Sequence, residues 1–346
     1  MAIIYMGCDY CFIDHREYIN LLYQNVYMDE TESISYSMPA QIFSVVAKSI
    51  VNNKKRSHPD NFHEETTMIK EIYERFHKEI PSAVKEGYIS KYNQYHTSDV
   101  REFAKKLSES TIFNITGVSG GNTSGVSLKC RIKENDFLIP PHSRFHCGNV
   151  HDQCQKLEAS HYDVVIADPP WWNKYIRRLK STNDMLSYSM MYNEEIASIP
   201  LKDHLSENCL VAVWCTNSDS NVASVKDLIF PKWGVEYVTT WYWLKVTVDM
   251  KPMCKFRSRC KKQPYERLII GKVGDIKDVP KNQLLISVPS ALHSHKPPLL
   301  DILTPFINKE EPQILELFAR YLLPNTTSIG YEPLKWQHLS LFEEVT

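Results

Sequence analysis

A carboxylate, two prolines and an indole follow one another in Asp168-Pro169-Pro170-Trp171. Together these residue types suit a flat heterocycle that carries an exocyclic amine, such as adenine or cytosine. The amine's N–H bonds need acceptors, which the Asp168 side chain and the Pro169 carbonyl supply, and the Trp171 ring offers a stacking face. Each proline lacks an N–H and holds its φ angle, and a residue before proline is pushed to extended backbone, so the corner is stiff. Val164 to Ala167, just upstream, are consecutive short or β-branched apolar residues, the pattern of a strand covered on both faces in a parallel sheet. The carboxyl ends of such strands are where open α/β sheets hold ligands. The plainer readings are a turn or capping aspartate for Asp168 and a core tryptophan for Trp171; the Pro-Pro-Trp context favours the site.

The elements that must position this corner alternate along the chain. Strand patterns cover residues 143–150, 162–167, 209–215, 235–244, 267–271, 283–288 and 314–318, and helical patterns cover 193–199, 218–229 and 299–307. This alternation predicts an α/β fold with a Rossmann-like, doubly wound, mainly parallel sheet. Earlier, residues 41–51, 64–78 and 100–107 carry apolar side chains at helical spacing, Met68, Ile69, Ile72, Tyr73 and Phe76 among them. Glycine density marks 116–125 as a flexible loop, and Pro140-Pro141 closes short strand patterns at 126–132 and 136–139. Residues 1–135 therefore read as a mainly helical accessory module and 136–346 as the domain that carries the site.

A net charge of −1 over 346 residues excludes a protein that grips nucleic acid with its whole surface, because phosphate binding is chiefly electrostatic. Local patches remain. Lys174, Arg177, Arg178 and Lys180 follow the corner, interleaved with Tyr175 and Tyr188, while Lys245, Lys251, Lys255, Arg257, Arg259, Lys261 and Lys262 follow Trp241-Tyr242-Trp243. Cations beside aromatics suit a splayed single strand with one base inserted; solvated loops are the bland alternative. Lys174, Arg177, Arg178, Tyr188 and Lys245 are the candidate substrate contacts, and Glu266 is a candidate brace for the loops. The basic run at 52–56 reads as a solvated helix end, or else as a nuclear-import or RNA-contacting segment.

Nine cysteines, an odd number without a paired framework, fit a reducing compartment. Cys8-Asp9-Tyr10-Cys11 lacks a second ligand pair, so no metal is expected. The start of the chain has neither a basic segment nor a long apolar run, so a soluble, intracellular protein with no membrane partner is expected. The glycine-rich stretch has no P-loop lysine and no complete dinucleotide fingerprint, which argues against nucleotide hydrolysis.

Asp-Pro-Pro-Trp after a hydrophobic strand resembles the catalytic signature of the N6-adenine methyltransferases related to the catalytic subunit of the messenger-RNA adenosine methyltransferase. Residues 137–141 (Phe-Leu-Ile-Pro-Pro), 171–174 (Trp-Trp-Asn-Lys), 293–298 (His-Ser-His-Lys-Pro-Pro), 316–320 (Glu-Leu-Phe-Ala-Arg) and 330–332 (Gly-Tyr-Glu) extend the likeness in order. They place the chain near the methyltransferase-like-four branch, over roughly the last two hundred residues. The resemblance implies S-adenosyl-L-methionine as cofactor and Asp168, Pro169, Pro170 and Trp171 as catalytic residues that align the N6 lone pair with the sulfonium methyl, with no nucleophilic side chain needed. It places Asn149, Val150, Asp168, Lys296, Arg320, Tyr331 and Glu332 around the cofactor, Lys296 at its carboxylate and Arg320 at its ribose. It implies a small nuclear RNA as partner, with 2′-O-methyladenosine of U2 as target, a nuclear or additionally cytoplasmic location, and activity as a monomer. DNA adenine is the alternative substrate, and an RNA-binding scaffold of the same fold is the alternative of another class. The chain departs from its relatives at Asn149, which stands where they carry an acid, and at Tyr321, Thr326 and Tyr331, which replace an asparagine, a tryptophan and an asparagine.

Overall fold

The alternating runs build one eleven-stranded sheet in the computed structural model, which describes residues 2–28, 32–45, 64–93, 100–111, 114–157, 161–172, 190–257 and 262–345. In spatial order its strands are Ile3–Met6, Tyr10–Ile13, Leu284–Ser287, Glu236–Lys245, Tyr265–Val273, Leu205–Cys215, Tyr162–Ala167, Ile314–Leu317, Thr326–Gly330, Ser143–Cys147 and Ser119–Asn122. Ile3–Met6, Tyr265–Val273 and Ser119–Asn122 run opposite to the others. The sheet is otherwise parallel, as the sequence pattern predicts.

Tyr162–Ala167 lies next to the central strand Leu205–Cys215, with Ala167 paired to Val213 on one side and Leu317 on the other. Both faces of this strand are covered, and successive side chains alternate between them. Val164 and Ile166 join Leu210, Ala212 and Trp214 in one core. Val165 and Ala167 join Val211, Val213, Leu315 and Leu317 in the other. Double coverage is why the run reads as continuously apolar. The second core is closed by Asn193–Ala197 and by a helix that runs from Asp219 through a π turn at Val225–Ile229 to Trp233. Gly234, with φ of 72°, ends it in the left-handed conformation that glycine adopts most easily.

The N-terminal expectation is corrected. Tyr10–Ile13 is fully buried and pairs in parallel with Leu284–Ser287, so it continues the main sheet. Its Phe12 packs on Phe76 of helix Glu64–Glu79 (5.5 Å between centroids) and on Tyr88 of helix Ser82–Asn93 (4.9 Å). The boundary drawn at residue 135 falls within a hairpin, since Ser127–Ile132 pairs with Asn135–Ile139. That hairpin belongs to a second, five-stranded sheet that also joins Ser33–Ser37 to Glu343–Val345. Four-residue strands are too short to announce themselves by periodicity, and the first helix, His15–Leu22, is set by an Asp14 cap.

Other local expectations shift as well. Of residues 41–51, Ala40–Phe43 forms a 3₁₀ turn and the part beyond residue 45 lies outside the described residues, as does the basic run at 52–56. The glycine-rich loop contains the strand Ser119–Asn122, and glycine at 121 is required by proximity: a Cβ there would lie 2.3 Å from the Ser143 carbonyl oxygen. Cys8 is exposed whereas Cys11 is buried. Among the described residues no group of three or more His, Cys, Asp and Glu could hold a metal ion, and no helix is long and apolar enough to cross a membrane.

Because Tyr10–Ile13 shares its core with the central strands, Phe12→Ala is expected to destabilise the whole protein by about 3–5 kcal/mol. Urea unfolding followed by fluorescence and far-UV dichroism checks this. An N-terminal transition separate from the main one would contradict a shared core.

Candidate active site

Adjacent strand ends bring the candidate residues together. Tyr162–Ala167 ends at Asp168, whose N–H donates to the Leu317 carbonyl (3.3 Å). The strand carrying Leu317 then turns at Phe318, which has a φ of 64°, an unfavourable left-handed conformation for a bulky residue and a mark of local strain. That turn lets the Ala319 N–H donate to the Ile329 carbonyl (3.0 Å). Gly330 follows, and a Cβ on it would lie 2.9 Å from the Ala319 oxygen. Gly148 donates to the Gly330 carbonyl (2.7 Å). Asp168, Arg320, Tyr331 and Asn149 thus stand at the carboxyl ends of four neighbouring parallel strands, where open α/β sheets form their crevice.

Across the crevice lies an alternating chain of charge. Lys296 Nζ is 3.5 Å from Asp168 Oδ1 and 2.5 Å from Glu266 Oε2, and the other Glu266 oxygen pairs with Lys245. Indole faces line the cations: Lys296 sits 5.0 Å from the Trp214 ring centroid and Lys245 4.4 Å from that of Trp243. Burial alone would raise the Glu266 carboxyl, but Lys296 and Lys245 outweigh it and bring it down to about 2. Asp168 moves the other way. Burial raises it above the usual carboxylate range despite Lys296 and Arg320. It is therefore a better proton acceptor than a free aspartate, which sequence alone presents as a weak base.

Trp171 is corrected from stacking platform to anchor. It is 6% exposed, and its Nε1 donates to the Trp214 carbonyl (2.9 Å), tying the corner to the next strand. The Pro169 carbonyl accepts the Trp171 N–H (2.8 Å) and the Pro170 carbonyl accepts the Met191 N–H (2.9 Å). Among the described residues no other donor reaches the Pro169 oxygen, which leaves one lone pair for an amine. Lys245 is likewise engaged with Glu266 and is not free for a phosphate. Lys174, Arg177, Arg178 and Tyr188 lie outside the described residues. So do Tyr175, Lys180, Arg259 and Lys261, while Lys251, Lys255, Arg257 and Lys262 are exposed.

The sequence departures acquire different meanings. Asn149 caps helix Val150–Lys156 by accepting from the Asp152 N–H (3.3 Å), and its amide donates to the Tyr331 hydroxyl (3.2 Å), so two of the departures meet. Tyr321 is buried and its hydroxyl donates to the Lys296 carbonyl (3.1 Å), fixing the lysine's backbone. Thr326 begins its strand, at the end away from the crevice, and donates to the Pro324 carbonyl (2.9 Å). Val150 is buried in the core, so its side chain does not line the crevice. Arg320 Nη1 lies 2.9 Å from His293 Nδ1; burial, with Arg320 adding to it, pushes that imidazole down to about 4, so it is neutral and accepts. Glu332 pairs with Lys335 (2.7 Å).

Two acids complete the site. Glu65, on helix Glu64–Glu79, accepts from the Tyr265 hydroxyl (2.9 Å), the Tyr242 hydroxyl (3.3 Å), and Arg267 Nε (3.0 Å) and Nη2 (2.8 Å). It grips both neighbours of Glu266. No sequence signal could link residues about 200 apart. Glu316 belongs to a motif already noted, but its role comes from burial: among the described residues Oε2 has no hydrogen-bond partner, and burial with nearby Asp168 raises its carboxyl to about 8, so it is mainly protonated at neutral pH.

Lys296→Met leaves two partly buried carboxylates without their shared cation, and a loss of about 1–3 kcal/mol at pH 7 is expected. The deficit should shrink at pH 5 as the carboxylates take up protons; denaturant unfolding at both values checks this. For Glu316 the folded state holds its proton more tightly than the unfolded state, so this residue's contribution to stability declines as pH rises from about 4.5 to about 8. Glu316→Gln should flatten that decline, measured as Tm against pH; an unchanged slope would refute the assignment.

Residues 162–332 match the MT-A70 family model. The chain is 35% identical over 234 residues to the N(6)-adenine-specific methyltransferase METTL4 of Mus musculus, covering 64% of this chain and 48% of the relative. It is 39% identical over 214 residues to a DNA N6-methyl methyltransferase of Caenorhabditis elegans (60% and 55% covered). It is 36% identical over 215 residues to the N6-methyladenosine RNA methyltransferase MTA1 of Cryphonectria parasitica (58% and 60% covered). The chain spans about half the length of the METTL4 relatives it matches. The segment 162–332, which carries the Asp168 corner, is an MT-A70 domain.

Proposed function

We propose that the chain methylates the N6 amine of adenine in a nucleic acid, with S-adenosyl-L-methionine as methyl donor. The observation that carries this reading is the Asp168 carboxylate at the strand end, shared with Lys296 and raised in proton affinity, beside a Pro169 carbonyl with one free lone pair. The residues around the crevice fit a nucleoside that bears an amino acid. Lys296, already paired with Asp168 and Glu266, keeps a third N–H donor for a carboxylate, and Arg320, Asn149, Tyr331 and Glu332 offer a guanidinium, an amide, a hydroxyl and a carboxylate suited to ribose hydroxyls. The orphaned Glu316 oxygen is a further polar group awaiting a partner.

When bound, that cofactor supplies an electrophilic methyl group on a sulfonium. The chain's own residues orient and deprotonate. Asp168 and the Pro169 oxygen accept the amine's hydrogen bonds and hold its nitrogen in one attitude, so rate comes chiefly from alignment. Burial strengthens these contacts and excludes water. Asp168 then takes the proton that the methylated nitrogen sheds, a task its raised affinity for protons suits.

Within this reading we favour RNA, and specifically 2′-O-methyladenosine in U2 small nuclear RNA. The likeness to a relative named as an RNA methyltransferase supports RNA, and a nuclear location and a monomeric enzyme belong to the same proposal. DNA is the second reading, favoured by the 39% identity to the Caenorhabditis elegans relative named for DNA. The test is methyl transfer to matched single strands that contain adenosine, 2′-O-methyladenosine or deoxyadenosine. We expect the 2′-O-methyl strand to be preferred, and Asp168→Asn to lower turnover about 10²–10⁴-fold. Preference for deoxyadenosine would select the DNA reading, and absence of transfer by the folded wild type would leave the scaffold.

A further inference from the structure

The stacking face expected of Trp171 is absent, because that ring is buried and its nitrogen is bonded to Trp214. Trp214 and Trp243 are also occupied, each lying under a lysine. One other aromatic pair stands beside the corner. Trp172 is partly exposed, and its ring lies nearly parallel to that of Tyr192, 18° apart with centroids at 6.0 Å. Tyr192 is 56% exposed, more than any other large hydrophobic residue among those described.

The pair is fixed in place by the corner itself. Trp172 donates its N–H to the Met191 carbonyl (3.1 Å), and Met191 donates in turn to the Pro170 carbonyl (2.9 Å). On the other side the Tyr192 N–H donates to Glu195 Oε2 (2.6 Å), and the Tyr192 carbonyl accepts from the Glu195 and Ile196 N–H groups (3.1 Å each). A near-parallel aromatic pair in which Tyr192 is exposed and Trp172 partly so has the form of a stack able to take another ring. Exposed aromatic surface costs free energy in water unless something covers it. Every nucleobase has a flat face able to do so, whatever its sequence.

We propose that Trp172 and Tyr192 form a stacking platform for the base adjacent to the target in single-stranded nucleic acid. The proposal rests on the function inferred above and names a subsite for it. With the neighbouring base held on the platform, the backbone between it and the target is fixed at one end, which helps to present the target to Asp168. Exposed Lys251, Lys255, Arg257 and Lys262, on the segment that leads from Lys245 to Glu266, supply cations for the phosphates at the same end of the sheet.

The test compares oligonucleotide Kd, by fluorescence anisotropy, for wild type, Trp172→Ala, Tyr192→Ala and Trp172→Phe. Strands carry one target adenosine, with an abasic site placed in turn at each flanking position. Each alanine variant should weaken binding of the intact strand about tenfold, while Trp172→Phe, which keeps an aromatic face, should retain most of it. An abasic site at one adjacent position should weaken wild-type binding equally and abolish the variants' effect, since ring and base then form one coupled pair. Unchanged dichroism and Tm confirm folded variants. Wild-type methylation with equal Kd for wild type and both alanine variants would overturn the platform and leave the inferred function standing. Losses that persist undiminished on every abasic strand would also overturn it. If folded wild type neither binds nor methylates any strand, the inferred function fails and the platform with it.

Discussion

The active corner depends on one buried ammonium shared by two carboxylates. Lys296 lies between Asp168 and Glu266, and removing an ion from water is tolerated only where opposite charge and hydrogen bonds replace hydration. Here they do so in strict alternation: Asp168, Lys296, Glu266 and Lys245 carry negative, positive, negative and positive charge. Glu316, close enough to Asp168 to feel its charge, holds its proton and so adds no further anion at neutral pH. Each member has its charge set by its neighbours, so the four behave as a unit rather than as separate contacts.

This coupling explains why Asp168 and Glu266 differ so strongly although both are partly buried carboxylates. Glu266 has a cation on each oxygen, which overcomes desolvation and keeps it ionised. Asp168 has only the longer contact to the shared Lys296, with Arg320 acting at greater range, so desolvation prevails and its affinity for a proton rises. A strong anion and a readier base arise from one lysine by unequal sharing. Pairs of acids pushed apart by their surroundings are a recurrent way to divide structural and catalytic work.

What could be read from sequence follows from how local each signal is. The continuous run Val164 to Ala167 and the prolines after it fix a buried strand and its end through nearest-neighbour chemistry, and the observed strand is Tyr162–Ala167. The family motifs place Lys296 and Arg320 at the same end of the sheet. Residue type could not say which way an indole faces, and Trp171 turned inward because the Trp214 carbonyl beside it accepts its N–H. A basic residue after an aromatic strand could not reveal that Lys245 is neutralised by Glu266, which is distant in sequence but adjacent across the strand pair. Thr326 looked like a loss at the cofactor site only because sequence does not show which end of a strand faces the crevice.

The N-terminal segment is the clearest case of long-range dependence. Its strand Tyr10–Ile13 pairs with Leu284–Ser287, the strand that leads into the Lys296 loop. His15 then packs edge-on against His295, the residue before Lys296, with centroids 4.4 Å apart. Burial lowers both imidazoles, His295 to about 3, so neither carries charge at neutral pH. That neutrality matters, because an imidazolium in this position would oppose the Lys296 ammonium next to it. Glu65 anchors the opposite side, holding Tyr265 and Arg267 around Glu266. Both members of the Lys296–Glu266 ion pair are thus flanked by residues braced from the first hundred of the chain, and the segment is part of the scaffold that holds the corner's charges in place.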